Sequence, residues 1–567
     1  MSGKTNARKT GRSSRLKAST AVRDEPRSET AASTNVWRDR LIVAAIAIVA
    51  SIAGIGNGFV FDDVPQVLDN TRVQSFGRIG EIFTSAYWPP PYAPELYRPF
   101  ASITVAIQYV LGAGQPTVFR VVSYLLYALA AVLVFDLARR LTSRHVALGV
   151  GALFAADPVH VEAVALAVNQ GELIVASAAV AAVVRYLDRR RAGDGSLSAR
   201  DWVGLCVLYA IAALSKENGF VLPALIGVAE LSLIDVPFRK RAGDTWRGYA
   251  ALALVAIVII AVRAAVLGGN VAGALPAKTI AGLSLGGRVL TMLQIVPKWL
   301  RLFVWPAHLQ VDYGPNEILA STGLGGQERF GLTILAGFAI VAWLARRRVP
   351  VVTFGIAWCG IALLPVSNIV PSGIVLAERT LFLPSVGFLI AVGGAVELAF
   401  RSGQSLKRAA AVVAGALVVM GAARSDLRHL TWRNGQTMWA AAAIDAPRSL
   451  RVKQAHDEAI ADLTRDFERA AQQSPTPWRV RFELGTLLRY MNADSAALVQ
   501  LRQSVNAHPE QDDAARELAA TLISLGQYDE AKQVASKTTG AERYVQLADS
   551  ALKSHAPPGS IRVIARQ

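Results

Sequence analysis

Two adjacent carboxylates, Asp62 and Asp63, end a Gly-Phe-Val-Phe-Asp-Asp run that follows the first long apolar block of the chain. A carboxylate held beside a hydroxyl can take its proton as a general base, and paired acids also attract divalent cations through oxygen ligands. Further polar clusters interrupt apolar sequence at intervals. They are Tyr97-Arg98-Pro99, Asp157-Pro158-Val159-His160-Val161-Glu162, Asn169 with Glu172, and Leu214-Ser215-Lys216-Glu217-Asn218. Asp312-Tyr313 and Glu378-Arg379-Thr380-Leu381-Phe382-Leu383-Pro384-Ser385 complete the set. Arginine's planar fork suits phosphate, which it binds through two parallel hydrogen bonds. Ionisable residues at membrane depth are costly and are functional candidates by default.

The elements that must position these groups are membrane helices. The 567 residues are 53% hydrophobic and 18% charged, with mean hydropathy +0.35. A soluble chain carries about 25% charged residues. Apolar blocks of spanning length recur from Leu41 to about Met420 and then stop, a span needing roughly 20 such residues. The net charge of +17 gathers in the N-terminal tail (Lys4, Arg8, Lys9, Arg12, Arg15, Lys17) and in short loops, as the positive-inside rule requires of cytoplasmic segments. The tail has no interleaved aromatic residues, which argues against a nucleic-acid surface. Cys206 and Cys359 both lie in apolar blocks, and with two cysteines there is no disulfide framework or zinc spacing. The tail is too long and polar for an ordinary signal peptide, so the first block reads as an uncleaved span.

Charge then sets the sides. With the tail inside, the first span (37–56) delivers residues 57–117 to the outside. Residues 100–112 read as an interfacial helix, because counting them as a span would place Arg139, Arg140 and Arg144 outside. Spans follow at 118–138, 146–156, 161–186, 202–214, 220–234, 249–267, 331–345, 351–364, 381–400 and 409–421. The block 289–305, broken by Pro297, Lys298 and Arg301, reads as re-entrant or interfacial. That makes roughly eleven crossings on charge alternation, and all the polar clusters fall on the outer face.

Residues 424–567 are polar and helix-prone. A 34-residue register fits them: Pro475 and Pro509, Ala497 and Ala531, and Gly485 and Ala519 are each that far apart. This is the tetratricopeptide period. The chain therefore divides into a basic cytoplasmic tail (1–36), a membrane domain (37–423) and an outer helical-repeat domain (424–567). The fold class is all-α, a polytopic bundle with a C-terminal α-hairpin domain.

As an ordered set, the Phe-Asp-Asp loop, Tyr-Arg-Pro, Pro-Val-His-Val-Glu-Ala-Val, Leu-Ser-Lys-Glu, Val-Asp-Tyr and Glu-Arg-Thr-Leu-Phe-Leu-Pro-Ser resemble the transmembrane and tetratricopeptide-repeat-containing O-mannosyltransferases. These belong to the GT-C class, related to the protein O-mannosyltransferases. The resemblance implies an inverting transfer of a sugar, mannose by expectation, from a polyprenyl-phosphate donor to Ser/Thr hydroxyls of exported proteins. It implies that the acid loop is catalytic, with Asp62 slightly favoured over Asp63 as the base. Arg98, Arg379 and Lys216 are then candidates to bind the donor phosphate. His160, Glu162, Glu217 and Glu378 are candidates to orient substrate, Glu217 by fixing Lys216. Asn169, Glu172, Asp312 and Tyr313 rank lower. No metal ligand is assigned, and a divalent ion stays open. The repeat domain would recruit the protein acceptor, and the composition leans towards a prokaryotic plasma membrane.

Blander roles exist for the same residues. The acids could cap a helix beginning near Val64-Pro65, and the arginines could snorkel to headgroups. His160 could be a satisfied interfacial histidine, and Lys216-Glu217 a structural ion pair. Asn169 and Glu172 could bond neighbouring helices, and Asp312-Tyr313 could anchor a loop. A glycolipid or cell-surface glycan acceptor is an alternative to protein. A transporter or scaffold is disfavoured, since no matching halves are seen.

Overall fold

A computed structural model describes residues 28–92, 94–192, 195–269, 275–400, 403–561 and 563; most of the basic tail, residues 1–27, lies outside them. Among the described residues the chain is helical, without a β-strand. The membrane part begins with α1 (Ser28–Val49), α2 (Ile79–Thr84), α3 (Pro99–Leu111), α4 (Pro116–Leu141), α5 (Arg144–Ala155), α6 (Val161–Ala165) and α7 (Gln170–Arg191). It continues with α8 (Ala199–Ser215), α9 (Leu222–Leu233), α10 (Phe238–Val266), α11 (Leu285–Leu293), α12 (Val296–Val304), α13 (Gly326–Ala345), α14 (Pro350–Leu363), α15 (Phe382–Ala399) and α16 (Gln404–His429). Beyond it lie α17 (Gly435–Asp445), α18 (Leu450–Gln473), α19 (Pro477–Tyr490), α20 (Asp494–Ala507), α21 (Asp512–Ser524), α22 (Tyr528–Ala535) and α23 (Glu542–Lys553).

Local sequence accounts for the boundaries. Proline fills an early position of α3, α4, α14 and α19, where its missing N–H costs nothing. Ser198 and Asp201 form a reciprocal capping box on α8. Arg139 and Arg140 end α4, and Arg189, Arg190 and Arg191 end α7, favourable against the negative helix terminus.

Every apolar block expected to span contains a helix, but the blocks differ in length. Six described helical stretches are long and apolar enough to cross a bilayer: Pro116–Leu141, Ala167–Arg191, Arg239–Val266, Gly326–Ala345, Glu378–Ala399 and Gln404–Trp432. A bent pair, Arg144–Ala155 with Pro158–Ala165, makes a seventh if it is one span broken by 43°. The expected count of eleven also drew on α1, α8, α9 and α14, which fall short of that test. The expected re-entrant block is two short helices, α11 and α12, broken at Gln294 and Ile295.

The bundle core is centred on α4, α7, α8, α14 and α15, with Phe135, Tyr186, Trp358 and Phe382 fully buried. Glycines let α14 and α15 meet backbone to backbone: a Cβ on Gly387 would lie 2.5 Å from the Gly355 carbonyl oxygen and 2.6 Å from the Cys359 amide. Such close approach is how helices gain packing without a hydrophobic driving force. Gly387→Val should therefore force the pair apart and destabilise the bundle by about 1–3 kcal/mol or more, read as earlier loss of monomer on heating in detergent.

One end of the bundle is laced by ion pairs: Arg40–Asp136 at 2.8 Å, Arg144–Asp39 at 2.6 Å, and the buried Arg190–Glu230 at 2.6 Å. The opposite end carries the polar clusters. There α16 runs into the C-terminal helices, where α19 packs on α20 and α21 on α22. Asn492 and Gly526, 34 residues apart, take positive φ (62° and 79°) at the two inter-helix turns.

Candidate active site

The acid loop is fixed from both sides. The Gly58 amide donates to the Arg433 carbonyl at 3.0 Å, and the Asn57 side chain donates to the His429 carbonyl at 2.7 Å. Phe61 sits at φ +54°, a left-handed conformation unfavourable for a bulky residue. This turn sends the two neighbouring carboxylates to different places.

Asp63 is wholly buried and accepts hydrogen bonds from the Ala167 amide (3.1 Å), the Val168 amide (2.9 Å) and Arg120 Nη2 (3.2 Å). Burial pushes its carboxyl up from the ordinary range, while Arg120 and the two amides oppose that shift. Arg120, equally buried, also donates to the Gly58 carbonyl at 2.6 Å and to the Ala165 carbonyl. Although Asp63 precedes the turn at Val64, its side chain caps nothing there. Helix capping therefore does not explain this acid.

Asp62 faces a cleft of about 620 Å³. Its Oδ2 lies 3.9 Å from Arg379 Nη2. Arg379 is itself held by Glu162, which accepts the Arg379 amide (2.9 Å) and a guanidinium N–H. Asn169 in turn donates to the Glu162 carbonyl at 3.0 Å. Lys216 reaches the cleft paired to Glu172 at 2.8 Å, and Asn218 donates to the other Glu172 oxygen. Burial pushes the Lys216 ammonium down from its usual value, and Glu172 resists this.

The expected Lys216–Glu217 partnership does not form. Neighbouring residues at a helix end point apart, and Glu217 instead takes two cations, Arg98 (3.0 Å from Nε) and Arg263 (3.1 Å). Arg98 also lies over the Tyr87 ring, 5.1 Å from its centroid. Against the cost of burial, Arg98 foremost and Arg263 hold the Glu217 carboxyl down to about 2. Since the folded value is depressed, the contribution of Glu217 is fully present above the ordinary value of 4.5 and disappears as pH falls towards 2. Glu217→Gln should leave both arginines under-compensated and lower the temperature of unfolding at pH 7, with the difference from wild type shrinking as pH falls below 4.5.

Two more candidates lie off the cleft wall, as Asp63 and Glu162 do. His160 is buried among Tyr127, Phe154 and Phe382, with Nε2 2.9 Å from Ser385 Oγ and Nδ1 3.1 Å from Tyr127 Oη. Both ring nitrogens are taken up by neighbouring helices, and the side chain does not line the cleft. Glu378 is likewise buried, accepting from the Gln310 amide (2.5 Å) and Tyr313 Oη (2.9 Å). It positions the loop that brings Asp312 and Tyr313 to the cleft. Asp312 accepts from the Gly314 amide (2.9 Å) and Ser449 Oγ (3.0 Å), and lies 3.5 Å from Arg451. Among the described residues, no three histidine, cysteine or acidic side chains converge as a metal site would require.

Residues 97–265 match the family described as dolichyl-phosphate-mannose-protein mannosyltransferase. This segment carries Arg98, Glu172, Lys216, Glu217 and Arg263, half of the charged residues that line the cleft. Protein O-mannosyl-transferase TMTC3 of Mus musculus is 25% identical, over 68% of this chain and 45% of its own length. Protein O-mannosyl-transferase TMTC4 of Homo sapiens is 25% identical, over 73% and 62% respectively. Over these stretches the chain is similar to the protein O-mannosyl-transferases. It spans about half the length of the curated relatives it matches. A solved structure, the archaeal oligosaccharyltransferase AglB from Archaeoglobus fulgidus in complex with an inhibitory peptide and a dolichol-phosphate, gives a TM-score of 0.42 at 13% identity, covering 70% of this chain and 56% of that one.

Three arginines at or beside the cleft carry no motif that the sequence alone marks. Arg120 and Arg263 sit inside apolar blocks, where a lone arginine is itself a signal. Arg451 comes from the C-terminal helices, yet it lines the cleft and stacks over Phe61 at 4.9 Å.

Proposed function

We propose that the cleft transfers a sugar, mannose, from a polyprenyl-phosphate donor to a Ser/Thr hydroxyl of an exported protein, with inversion at the anomeric carbon. The observation that carries this reading is the placement of Asp62 and Arg379 3.9 Å apart across one cleft. The acceptor oxygen attacks the anomeric carbon and its proton passes to the Asp62 carboxylate. The bond from the anomeric carbon to the phosphate oxygen breaks, and the lipid phosphate leaves with the electron pair. Arg379 and Lys216, with Arg98 behind Glu217, stabilise the negative charge that develops on it. Asp63 acts through Arg120 as a positioning residue for the loop. The match to a family described as using dolichyl-phosphate-mannose supports the donor, and the names of the relatives support a protein acceptor.

In this reading the cleft opens to the extracytoplasmic side, and the tail and basic loops lie in the cytoplasm. Support comes from the clustering of Arg139, Arg140, Arg144 and Arg189–Arg191 at the bundle end opposite the cleft. The helices after residue 424 form a tetratricopeptide-like unit that presents the acceptor, a reading supported by the 34-residue recurrence of turn geometry and by Arg451 in the cleft wall. The relatives named above are animal proteins and lend no weight to a prokaryotic membrane.

The test follows label from polyprenyl-phosphate-[14C]mannose through purified full-length protein and a mixture of exported proteins. Label in protein that alkaline β-elimination releases upholds the reading. Label confined to lipid or glycan moves the acceptor to a glycolipid or surface glycan, and donor left intact refutes the transferase.

A further inference from the structure

At the end of the bundle away from Asp62, α5, α15 and α16 enclose a second cavity of about 600 Å³. That is within the roughly 300–1,000 Å³ of small-molecule sites. Its place follows from chain direction. The C-terminal end of α5 leads to Glu162, the N-terminal end of α15 follows Arg379, and α16 ends where Arg433 holds the acid loop. His145, Glu397 and Lys407 therefore lie at the far ends of these three helices.

The cavity is a wedge. Near the catalytic end α16 touches the bundle closely: a Cβ on Gly421 would lie 2.6 Å from the Ala156 carbonyl oxygen, and Ser425 Oγ donates to the same oxygen at 3.1 Å. Helices α5 and α15 meet at Gly393, whose Cβ would lie 2.8 Å from Val150 Cγ2. Towards Lys407 the helix α16 parts from them, leaving walls of Val146, Val150, Leu389, Val396 and Ala411. Val412, Val413 and Val419 on α16 are exposed, as expected of a surface that faces acyl chains.

The mouth is cationic. His145, Lys407 and Arg408 line it, and the two basic side chains have no carboxylate partner among the described residues. The nearby carboxylate, Glu397, is already engaged by the Ser143 amide (2.9 Å) and hydroxyl (2.7 Å). Basic pockets between membrane helices on the cytoplasmic side suit anionic headgroups. A free phosphate would leave the apolar walls wetted, whereas a lipid covers both parts at once.

We propose that this wedge binds one anionic phospholipid, its acyl chain between α5, α15 and α16 and its phosphate at Lys407, Arg408 and His145. The site is separate from the donor cleft and independent of its chemistry. It would tether the loosely packed end of α16, the helix whose other end holds the acid loop.

Native mass spectrometry of the full-length protein in a neutral detergent tests this, with phosphatidylglycerol, phosphatidylcholine and water-soluble glycerol phosphate as probes. One phosphatidylglycerol should be retained in preference to phosphatidylcholine by on the order of tenfold, given two cations at the headgroup, and glycerol phosphate should not be retained. The exposed double variant Lys407→Gln/Arg408→Gln should erase the preference without altering the lipid-free melting temperature. Gly149→Phe should lower occupancy by either lipid, because a Cβ there meets nothing within 4 Å and enters the cavity. Equal retention of the two lipids, a preference that survives in the double variant, or equal binding of glycerol phosphate would each overturn the proposal.

Discussion

Asp62→Asn should reduce transfer by roughly 10²–10⁴-fold in kcat, the usual contribution of a positioned general base, with donor affinity and folding little changed. The carboxylate lines the cleft and its nearest cation stands at 3.9 Å, so the amide removes no close ion pair. The same charge removed one residue later should behave differently. Asp63→Asn leaves the amides of Ala167 and Val168 with one acceptor oxygen and Arg120 without its counter-charge, so it should lower stability together with activity. Rates of the two variants at saturating donor, set beside their melting temperatures in detergent, separate base from anchor. Equal loss of activity at unchanged stability in both would contradict this assignment.

Arg120→Leu should be the most destabilising single change near the site. It strands a fully buried Asp63 and also removes donors from Gly58 and Ala165. Breaking one side of a buried ion pair costs about 3–5 kcal/mol. The expected result is a large fall in thermal stability, measured as monomer surviving a heat step in detergent. Arg120→Leu/Asp63→Leu should recover part of that loss, because replacing both partners leaves no unpaired charge. If the double variant were as unstable as the sum of its parts, the pair would not be the source of the effect.

Adjacent acids after an apolar block mark a site because charge is costly there, so the loop was legible. Adjacency could not say which acid faces the cleft. That depends on a left-handed Phe61 and on an arginine 57 positions later. The same limit misassigned Glu217: sequence neighbours suggested Lys216, while the helix end turns the two apart, towards Glu172 and towards Arg98 with Arg263. His160 looked chemical by residue type, yet its aromatic nest leaves it no solvent. Arg451 was hidden for the opposite reason. It lies in ordinary polar helix, and only the docking of that helix on Phe61 brings it to the cleft. The helical bundle itself was plain from composition, since apolar blocks of this length have few alternatives. The number of crossings was less so, because α5, α8, α9 and α14 are short and their ends are set by neighbouring helices.

The most direct measurement is a structure of the full-length protein with a non-transferable donor, a polyprenyl phosphonate of mannose. The phosphonate oxygens should lie at about 2.7–2.9 Å from Arg379 or Lys216 nitrogens, the distance of charge-assisted hydrogen bonds, with the anomeric carbon turned towards Asp62. A phosphonate bound away from both cations, or a sugar whose anomeric carbon faces away from Asp62, would contradict the proposed transfer.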